Sequence, residues 1–413
     1  MVSFTLMDPQ TTAQSLYRGE ALAPMVRAST TPLRHLALQY GADFVYTEEL
    51  MDRALLEAKR VVHENGWIDY VKDLSKMSEK VRKRLNDRPP VLLRIDRTES
   101  SRLIGQIGTG SPELAVQAAR VIAQDVTAID VNMGCPKKFS VSGGMGSALL
   151  KDPDRAAAIV EALAKAMHPK PVSAKIRLLA THEATILFCD KLIEAGASAL
   201  AIHGRHVGDE GTQPAHWDKL RLVVKELSAK YPSTPILVNG DFYTRQEFQD
   251  FVNDTGARGV LLGRPALYNT SIFRKPTSGE VDLGYQSPLL LDKATVVQDY
   301  VKLCVKYDNH FKNVKYVIGE MMSQRRTPIP RVPFLPQNYP GGQSIGKTCD
   351  CKSLDEVCRL WEVEPVGPET SQAAPAGEHR YEDSYFVTER GEEGTATDKT
   401  PVEPSRKRVK VDS

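Results

Sequence analysis

The segment 129–147, IDVNMGCPKKFSVSGGMGS, carries the strongest structural signal of the chain. Residues 128–131 form an apolar run typical of a buried strand, and Gly134 and Pro136 end regular structure directly after it. Cys135 therefore lies at a strand end. The glycines of 142–146 allow a backbone to approach a ligand closely, and Asp152 followed by a proline predicts a helix start. This order is typical of the active site of an α/β enzyme.

Strand signals separated by helical segments continue on both sides of this stretch. They lie at 21–26, 43–47, 103–108, 128–131, 172–177, 199–205, 235–241 and 259–265. Eight such units over about 250 residues predict a closed (β/α)8 barrel, the TIM barrel. An open doubly wound sheet is the alternative, but it would normally place a glycine-rich fingerprint after its first strand, and the sequence has none there.

The composition changes twice along the chain. We expect mostly charged helix over 55–90, including 76–88, with an extra strand at 91–96. From about 286 only helical patterns follow, so we predict a barrel domain at 1–285 and a small all-helical domain at 286–365. Residues 366–413 are rich in small and polar residues, which predicts a disordered tail that ends in a basic cluster at 406–410.

The overall composition excludes several classes of protein. No apolar run approaches the roughly 18 residues of a membrane span, and the N-terminal sequence lacks the features of a secretory signal. Six scattered cysteines agree with a reducing compartment, and none is spaced as in a metal site, so we expect no membrane association and no metal. We expect a cytoplasmic protein; the basic cluster is either a nuclear import signal, an RNA contact or a solvated tail.

Polar side chains close most of the strand signals. In a barrel the carboxyl ends of the strands surround one shared mouth, so these side chains should lie together. They are Met25, Glu48, Gln106, Asn132, Cys135, Lys175, His203, Asn239 and Arg264. The glycines at the last two strand ends and the Arg264 fork suit a phosphate, whereas Gln106 and Lys175 suit the polar edge of a flat ring. The sequence thus favours a phosphorylated heteroaromatic ligand, which FMN fits.

Cys135 has two chemical interpretations. As a nucleophile it would need a lowered thiol pKa and a basic partner, and Lys137 and Lys138 are the candidates for lowering that pKa. As a general acid it would need a thiol that stays protonated near pH 7 and faces the substrate. The sequence leaves this choice open.

Six motifs, taken in order, resemble those of the tRNA-dihydrouridine synthases. They are APMV at 23–26, DVNMGCPKK at 130–138 with GGMG at 143–146, AKIR at 174–177, IHGR at 202–205, VNGD at 238–241 and LLGRP at 261–265. The resemblance covers roughly residues 20–320. VYTEEL at 45–50 and KYDNHFKNVKY at 306–316 are most similar to the eukaryotic subgroup that acts on uridine 20 of the tRNA D-loop.

The resemblance implies a flavoprotein that reduces the C5=C6 bond of uridine in tRNA, with NADPH or NADH as electron donor. It implies that hydride passes from the FMN to C6 and that Cys135 donates the proton to C5. It implies FMN contacts from Pro24, Met25, Val26, Gln106, Lys175, His203, Asn239, Gly240, Asp241, Gly263 and Arg264. For tRNA we select Asn132, Lys137, Lys138 and Arg177 near the mouth, and Lys302, Lys306, Lys312, Lys315, Arg325 and Arg326 on the helical domain.

Two other functions stay open at this point. One is an FMN-dependent TIM-barrel reductase of a small pyrimidine, and the other is an RNA-binding relative that has lost catalysis. The NMGCP segment and the basic helical domain favour tRNA over a small molecule. The presence of Cys135 together with every predicted flavin position argues against a catalytically inactive protein.

Overall fold

Eight parallel strands close into a barrel in the computed structural model. The model describes residues 8–84, 90–275, 290–323 and 341–364. The barrel strands are Gly19–Leu22, Phe44–Tyr46, Leu103–Gly108, Ala128–Asn132, Val172–Arg177, Ala199–His203, Ile236–Asn239 and Gly259–Leu262. Each pairs with its neighbours in parallel, and the pairing of Val45 with Leu103 and of Ala21 with Leu261 completes the circle. The predicted (β/α)8 barrel is therefore confirmed.

Helices connect the barrel strands and begin at the caps that the sequence supplies. Asp152 accepts a hydrogen bond from the Arg155 backbone N–H at 3.2 Å, and Thr244 forms a capping box with Glu247. The helices from the N-terminus through the barrel are Pro9–Leu16, Thr31–Gln39, Asp52–Leu56, Glu79–Arg84, Pro112–Ile122, Lys138–Val141, Pro153–Met167, His182–Glu194, Trp217–Lys230, Arg245–Thr255 and Arg264–Tyr268. Short 3-10 helices lie at Leu74–Lys76, Arg97–Arg102, Gly146–Lys151 and Thr270–Phe273.

The interior of the barrel is filled at the end where the strands begin. Tyr17 follows the first helix and lies beneath the strands, where its hydroxyl donates to Ser173 Oγ at 2.9 Å and its ring meets Phe44 edge-on at 5.8 Å. Small and large apolar side chains from alternate strands complete this layer, among them Ala21, Ala199 and Leu237. The recess among the barrel strands lies at the opposite end, where the strands finish.

The region 55–90, predicted as mostly helix, is largely a hairpin, so that prediction is wrong. Strands Ala58–Val62 and Trp67–Lys72 pair antiparallel, and Val91–Asp96, the predicted extra strand, adds the third strand of this separate sheet. Asn65-Gly66 forms the turn, with Gly66 at φ +88° and the Asn65 side chain accepting from the Trp67 N–H. Of the helix expected at 76–88, the structure describes Glu79–Arg84.

The C-terminal described residues are helical, as predicted. Helices Lys293–Lys306, Phe311–Met322, Ile345–Asp350 and Leu354–Leu360 pack on the side of the barrel. The Tyr307 hydroxyl meets His35 Nδ1 at 3.0 Å and donates to Asp96 at 2.8 Å, and Asn313 donates to the Arg27 carbonyl at 2.7 Å. The predicted domain boundary at 285, the tail 366–413, Arg325 and Arg326 lie outside the described residues, so those predictions stay predictions. Among the described helices, none has the length and apolar character that a bilayer crossing requires.

A buried ionic network joins the barrel to the hairpin sheet. Arg34 donates to both carboxylate oxygens of Glu99 at 2.8 and 2.7 Å, and it also donates to the Arg94 carbonyl at 2.7 Å. Arg94 in turn forms an ion pair with Asp69 at 2.7 Å. Arg34 and Glu99 are 1% and 0% exposed, so neither can recover water contacts if its partner is removed.

We predict that Arg34→Met lowers the free energy of unfolding by about 3–5 kcal/mol, because it leaves the Glu99 carboxylate buried without its partner. Lys165→Met is the matched control, since it breaks an exposed ion pair with Glu161 and should cost less than about 1 kcal/mol. Chemical denaturation of both variants measures the difference. Equal losses would contradict the structural importance that we assign to this network.

Candidate active site at the carboxyl ends of the strands

A cavity of about 1000 Å³ lies at the carboxyl ends of the barrel strands. All eleven residues predicted to bind the cofactor line it, namely Pro24, Met25, Val26, Gln106, Lys175, His203, Asn239, Gly240, Asp241, Gly263 and Arg264. Cys135 lines it too, together with Asn132, Lys137 and Arg177 from the predicted substrate set. The structure thus brings together residues that are more than 230 positions apart in the sequence.

A chain of hydrogen bonds between barrel side chains fixes the Cys135 loop. Asn132 Oδ1 accepts from the backbone N–H groups of Gly134 and Cys135 at 2.9 and 3.0 Å. The Asn132 amide donates to Gln106 at 3.3 Å, and Gln106 donates to the fully buried Asp130 at 2.8 Å. The side-chain oxygen of Asn132 therefore fixes the position of Cys135, in addition to facing the cavity.

The glycine-rich loop packs against protein. Gly146 has φ +56°, and a Cβ at this position would lie 2.6 Å from the Cys135 carbonyl oxygen. The Ser147 N–H donates to that same carbonyl at 2.9 Å. A Cβ on Gly110 would lie 2.8 Å from the Gly143 carbonyl oxygen, so another loop presses on this segment. The glycines at 143, 144 and 146 are not among the residues that line the cavity, so the expectation that this backbone approaches a ligand stays a prediction.

The Cys135 thiol is protonated at neutral pH. Burial is the largest cause and the nearby Glu49 carboxylate the next, and together they raise the pKa of Cys135 to about 12. The Lys137 backbone N–H and the Ser140 hydroxyl oppose this shift only in part. Lys138 does not line the cavity. The structure therefore favours the general-acid interpretation of Cys135 over the activated nucleophile.

Two basic side chains in the cavity are shifted toward their neutral forms. Burial, and then the charge of Arg177, lowers the pKa of Lys175 to about 8, so it still carries its charge at pH 7. Burial, followed by the charges of Lys175 and Arg177, holds the pKa of His203 well below its usual range, so its imidazole is neutral. No residue in the described part of the chain accepts a hydrogen bond from Lys175 Nζ, although this cation faces the cavity.

Two arginines share one carboxylate beyond the last two strands. Asp241 accepts from Arg205 and from Arg264, each at 2.5 Å, and also from the Ala215 N–H at 2.8 Å. The Asp241 carboxylate is thus already hydrogen-bonded to protein groups, so an anion at this position would meet the Asp241 backbone. Arg205 is 2% exposed, and the sequence analysis gave it no role although it ends the IHGR motif.

Three further cavity residues were missed by the sequence analysis. Glu49 lies beside Cys135, and Arg27 places its guanidinium 4.1 Å from the centre of the Tyr316 ring. Tyr316 comes from the C-terminal helix Phe311–Met322, so the helical region contributes to the wall of the barrel cavity. Both Glu49 and Tyr316 lie in motifs quoted for the resemblance, and that was the only signal available.

Five of the predicted substrate residues that the structure describes do not line the cavity, namely Lys138, Lys302, Lys306, Lys312 and Lys315. Lys312 is exposed, and Lys315 donates to the carbonyl oxygens of Cys349 and Cys351 at 2.6 and 2.7 Å, which gives it a structural task. Within the described ranges, no group of three or more His, Cys, Asp or Glu side chains is arranged to hold a metal ion.

The fold and this cavity define the chain as a (β/α)8 barrel with a partly buried thiol and a basic cavity at the carboxyl ends of its strands. The family model for dihydrouridine synthases matches residues 21–331, and the chain belongs to this family.

Curated relatives agree with this assignment. The tRNA-dihydrouridine(20) synthase [NAD(P)+] of Schizosaccharomyces pombe is 39% identical over 73% of this chain and 59% of its own length. The protein of the same name from Saccharomyces cerevisiae is 33% identical over 74% of this chain and 78% of its own length. A tRNA-dihydrouridine(16/17) synthase of S. pombe is 30% identical over 62% of this chain and 57% of its own length. The chain thus spans about three-fifths of the length of the first of these relatives.

Gly240 is the backbone position at which the cavity tolerates a side chain least. It has φ +130°, and a Cβ there would lie 2.9 Å from Ala215 Cβ and 3.3 Å from His203 Cδ2. We predict that Gly240→Ala lowers the free energy of unfolding by roughly 1–3 kcal/mol. Gly208→Ala is the control, because a Cβ at Gly208 meets nothing within 4 Å. Denaturation curves for both variants test this, and an unaffected Gly240→Ala variant would refute the close approach.

Proposed function

We propose that this chain reduces the C5=C6 bond of a uridine in tRNA to dihydrouridine, at position 20 of the D-loop, using FMN and NADPH or NADH. The observation that carries the proposal is a protonated thiol, Cys135, in the wall of a basic cavity at the carboxyl ends of the barrel strands. The names of the two yeast relatives support the position and the nicotinamide donor. The chemistry of the lining residues supports the flavin.

The hydrogen-bonding groups that line the cavity suit the ring of FMN. Lys175 Nζ is a cation without a hydrogen-bond acceptor among the described residues, and it can meet the polar edge of the flavin ring. Gln106 bonds Asp130 and Asn132, yet its amide keeps one further donor and one acceptor position for the ring. Pro24, Met25 and Val26 would lie along the flavin, and His203 near its ring or phosphate.

The phosphate end of FMN suits the last two barrel strands. Gly240 and Gly263 bring bare backbone to the cavity, and Asn239 is held by its hydrogen bond to the Leu261 carbonyl at 2.7 Å. Arg205 and Arg264 carry two positive charges against the one negative charge of Asp241, which leaves this end attractive to an anion. When bound, the flavin supplies the hydride, which protein side chains cannot supply.

The protein residues supply orientation and a proton. Asn132 fixes the Cys135 loop, and the Cys135 thiol provides the proton for C5 of the uracil. The carbonyl next to C5 makes its C–H bond more acidic, yet that bond still holds its proton more firmly than sulfur does, so a thiol of high pKa is an adequate acid. A uridine inside folded tRNA must leave its stack to reach this thiol. We propose that Lys137, Lys138 and Arg177 then hold the nearby phosphates.

We predict that Cys135→Ala reduces turnover of unmodified tRNA by on the order of 10²-fold or more, because the variant lacks the thiol that donates the proton to C5. Binding of FMN and of tRNA should persist, because the thiol is not needed for either. Cys349→Ala is the control, since Cys349 is exposed and does not line the cavity. Dihydrouridine formation, flavin absorbance and tRNA affinity are measured for each protein. Undiminished turnover by Cys135→Ala would remove its proposed role.

Charge removal at Lys138 and Lys312 tests the tRNA surface, since both side chains are exposed. We predict that the double change to Gln weakens tRNA binding and reduces the slope of log K against log salt by about 1–2. Lys315 is left in place because it bonds two carbonyl groups. Lys165→Gln, on a barrel helix, should leave the slope unchanged.

Free uridine is the second substrate in the turnover assays, and turnover of free uridine at the tRNA rate would favour a small-pyrimidine reductase.

A further inference from the structure

We propose that Glu49 is a positioning residue that orients the Cys135 thiol and keeps the proton on its sulfur. The inference rests on the proposed function, because it assigns to Glu49 the task of maintaining the acid. Its basis is the placement of one buried carboxylate and one hydroxyl around the sulfur, in the wall of the cavity.

Glu49 is fixed in place by the strands on which the cavity is built. It directly precedes the short strand Leu50–Met51, which pairs with the third barrel strand at Ile107 and Gly108. Its side chain lines the cavity and the residue is 1% exposed. A Cβ on Gly108 would lie 2.7 Å from Glu49 Oε1, so this glycine leaves just enough room for the carboxylate. The carboxylate therefore has little freedom to turn away.

The partners of Glu49 connect it to the reactive sulfur. The Ser140 hydroxyl donates to Glu49 Oε1 at 3.1 Å, and Cys135 lines the same cavity wall, where the charge of Glu49 raises the pKa of its thiol. Ser140 is fully buried, and a Cβ on Gly146 would lie 2.3 Å from Ser140 Oγ and 3.2 Å from Cys135 Cβ. The three side chains are thus packed together by the glycine-rich loop, which explains why that loop needs its glycines.

Groups of both charges face the Cys135 sulfur. Glu49 disfavours the thiolate, because a second negative charge would lie beside the first in a buried site. The Ser140 hydroxyl and the Lys137 N–H favour the thiolate, and Lys175 and Arg177 interact with it electrostatically from the neighbouring strand. Burial raises the pKa of the Cys135 thiol most, and the charge of Glu49 is the next largest cause. Glu49 therefore opposes the polar and cationic groups, which on their own favour the thiolate.

The proton balance of the step is simple. The S–H bond of Cys135 breaks as the C–H bond at C5 forms from the electron pair of the former C5=C6 double bond, and the electron pair of the S–H bond stays on sulfur as a thiolate. That thiolate then takes a proton from water. Because it lies beside the Glu49 carboxylate, it is a strong base and the return of the proton is favoured. Glu49 thereby restores the acid after each turnover without itself changing its covalent structure.

The test removes the charge of Glu49 and follows the protonation of Cys135. In Glu49→Gln, which keeps the size of the side chain, the pH midpoint for alkylation of Cys135 by iodoacetamide should fall by about one unit or more. This corresponds to about tenfold faster alkylation at pH 8. Mass spectrometry of the Cys135 peptide gives the rate, with the exposed Cys349 of the same molecule as the internal standard. Glu49→Ala removes the charge without introducing an amide and should give the same downward shift.

Glu48→Gln is the matched control. Glu48 is the preceding residue, and its carboxylate accepts from the Arg27 backbone N–H, so the same chemical change there should leave the Cys135 midpoint in place. An unchanged or raised midpoint in folded Glu49→Gln and Glu49→Ala would overturn the inference, and so would an equal shift in Glu48→Gln. The alkylation needs neither flavin nor tRNA, so its result is independent of the Cys135→Ala turnover test.

Discussion

This site depends on the burial of charged and polar side chains at one end of a parallel barrel, where they lose contact with water. Burial disfavours the charged form of every group, and it is the largest cause of the shifts at Cys135, Lys175 and His203. The same effect therefore keeps a thiol protonated, leaves an amine only weakly basic and makes an imidazole neutral. A barrel produces this effect because its strands end around a recess whose floor is already filled by side chains.

Other parts of the fold place that recess at the carboxyl ends of the strands. Tyr17 and the small residues of the barrel interior fill the opposite end, so the recess opens at the carboxyl ends of the strands. Below the recess, the chain of hydrogen bonds from Asp130 through Gln106 to Asn132 fixes the Cys135 loop. At its rim, Tyr316 and Arg27 join the C-terminal helices to the barrel. The barrel and the helical region thus both contribute to the wall of the cavity.

The sequence predicted the barrel and most of the cavity because both depend on local signals. Apolar strands followed by polar strand ends are visible in a window of ten residues, and parallel topology brings those ends together. The hairpin at 58–72 was not predicted because its strands carry many charged residues. Asn65-Gly66 is a typical hairpin turn, and it was the local signal for these two strands. The arginine pair around Asp241 and the Glu49 contact with Cys135 depend on side-chain directions across separate strands, which no local pattern contains.

The central claim, that a protonated thiol in this barrel completes the reduction of a tRNA uridine, is tested most directly in cells that lack the chain. Dihydrouridine is mapped across all tRNAs in those cells, and again after the wild-type chain or its Cys135→Ala variant is returned. The account predicts that dihydrouridine disappears at position 20 alone, that the wild-type chain restores it, and that the variant does not. An unchanged dihydrouridine map in cells that lack the chain would contradict the account.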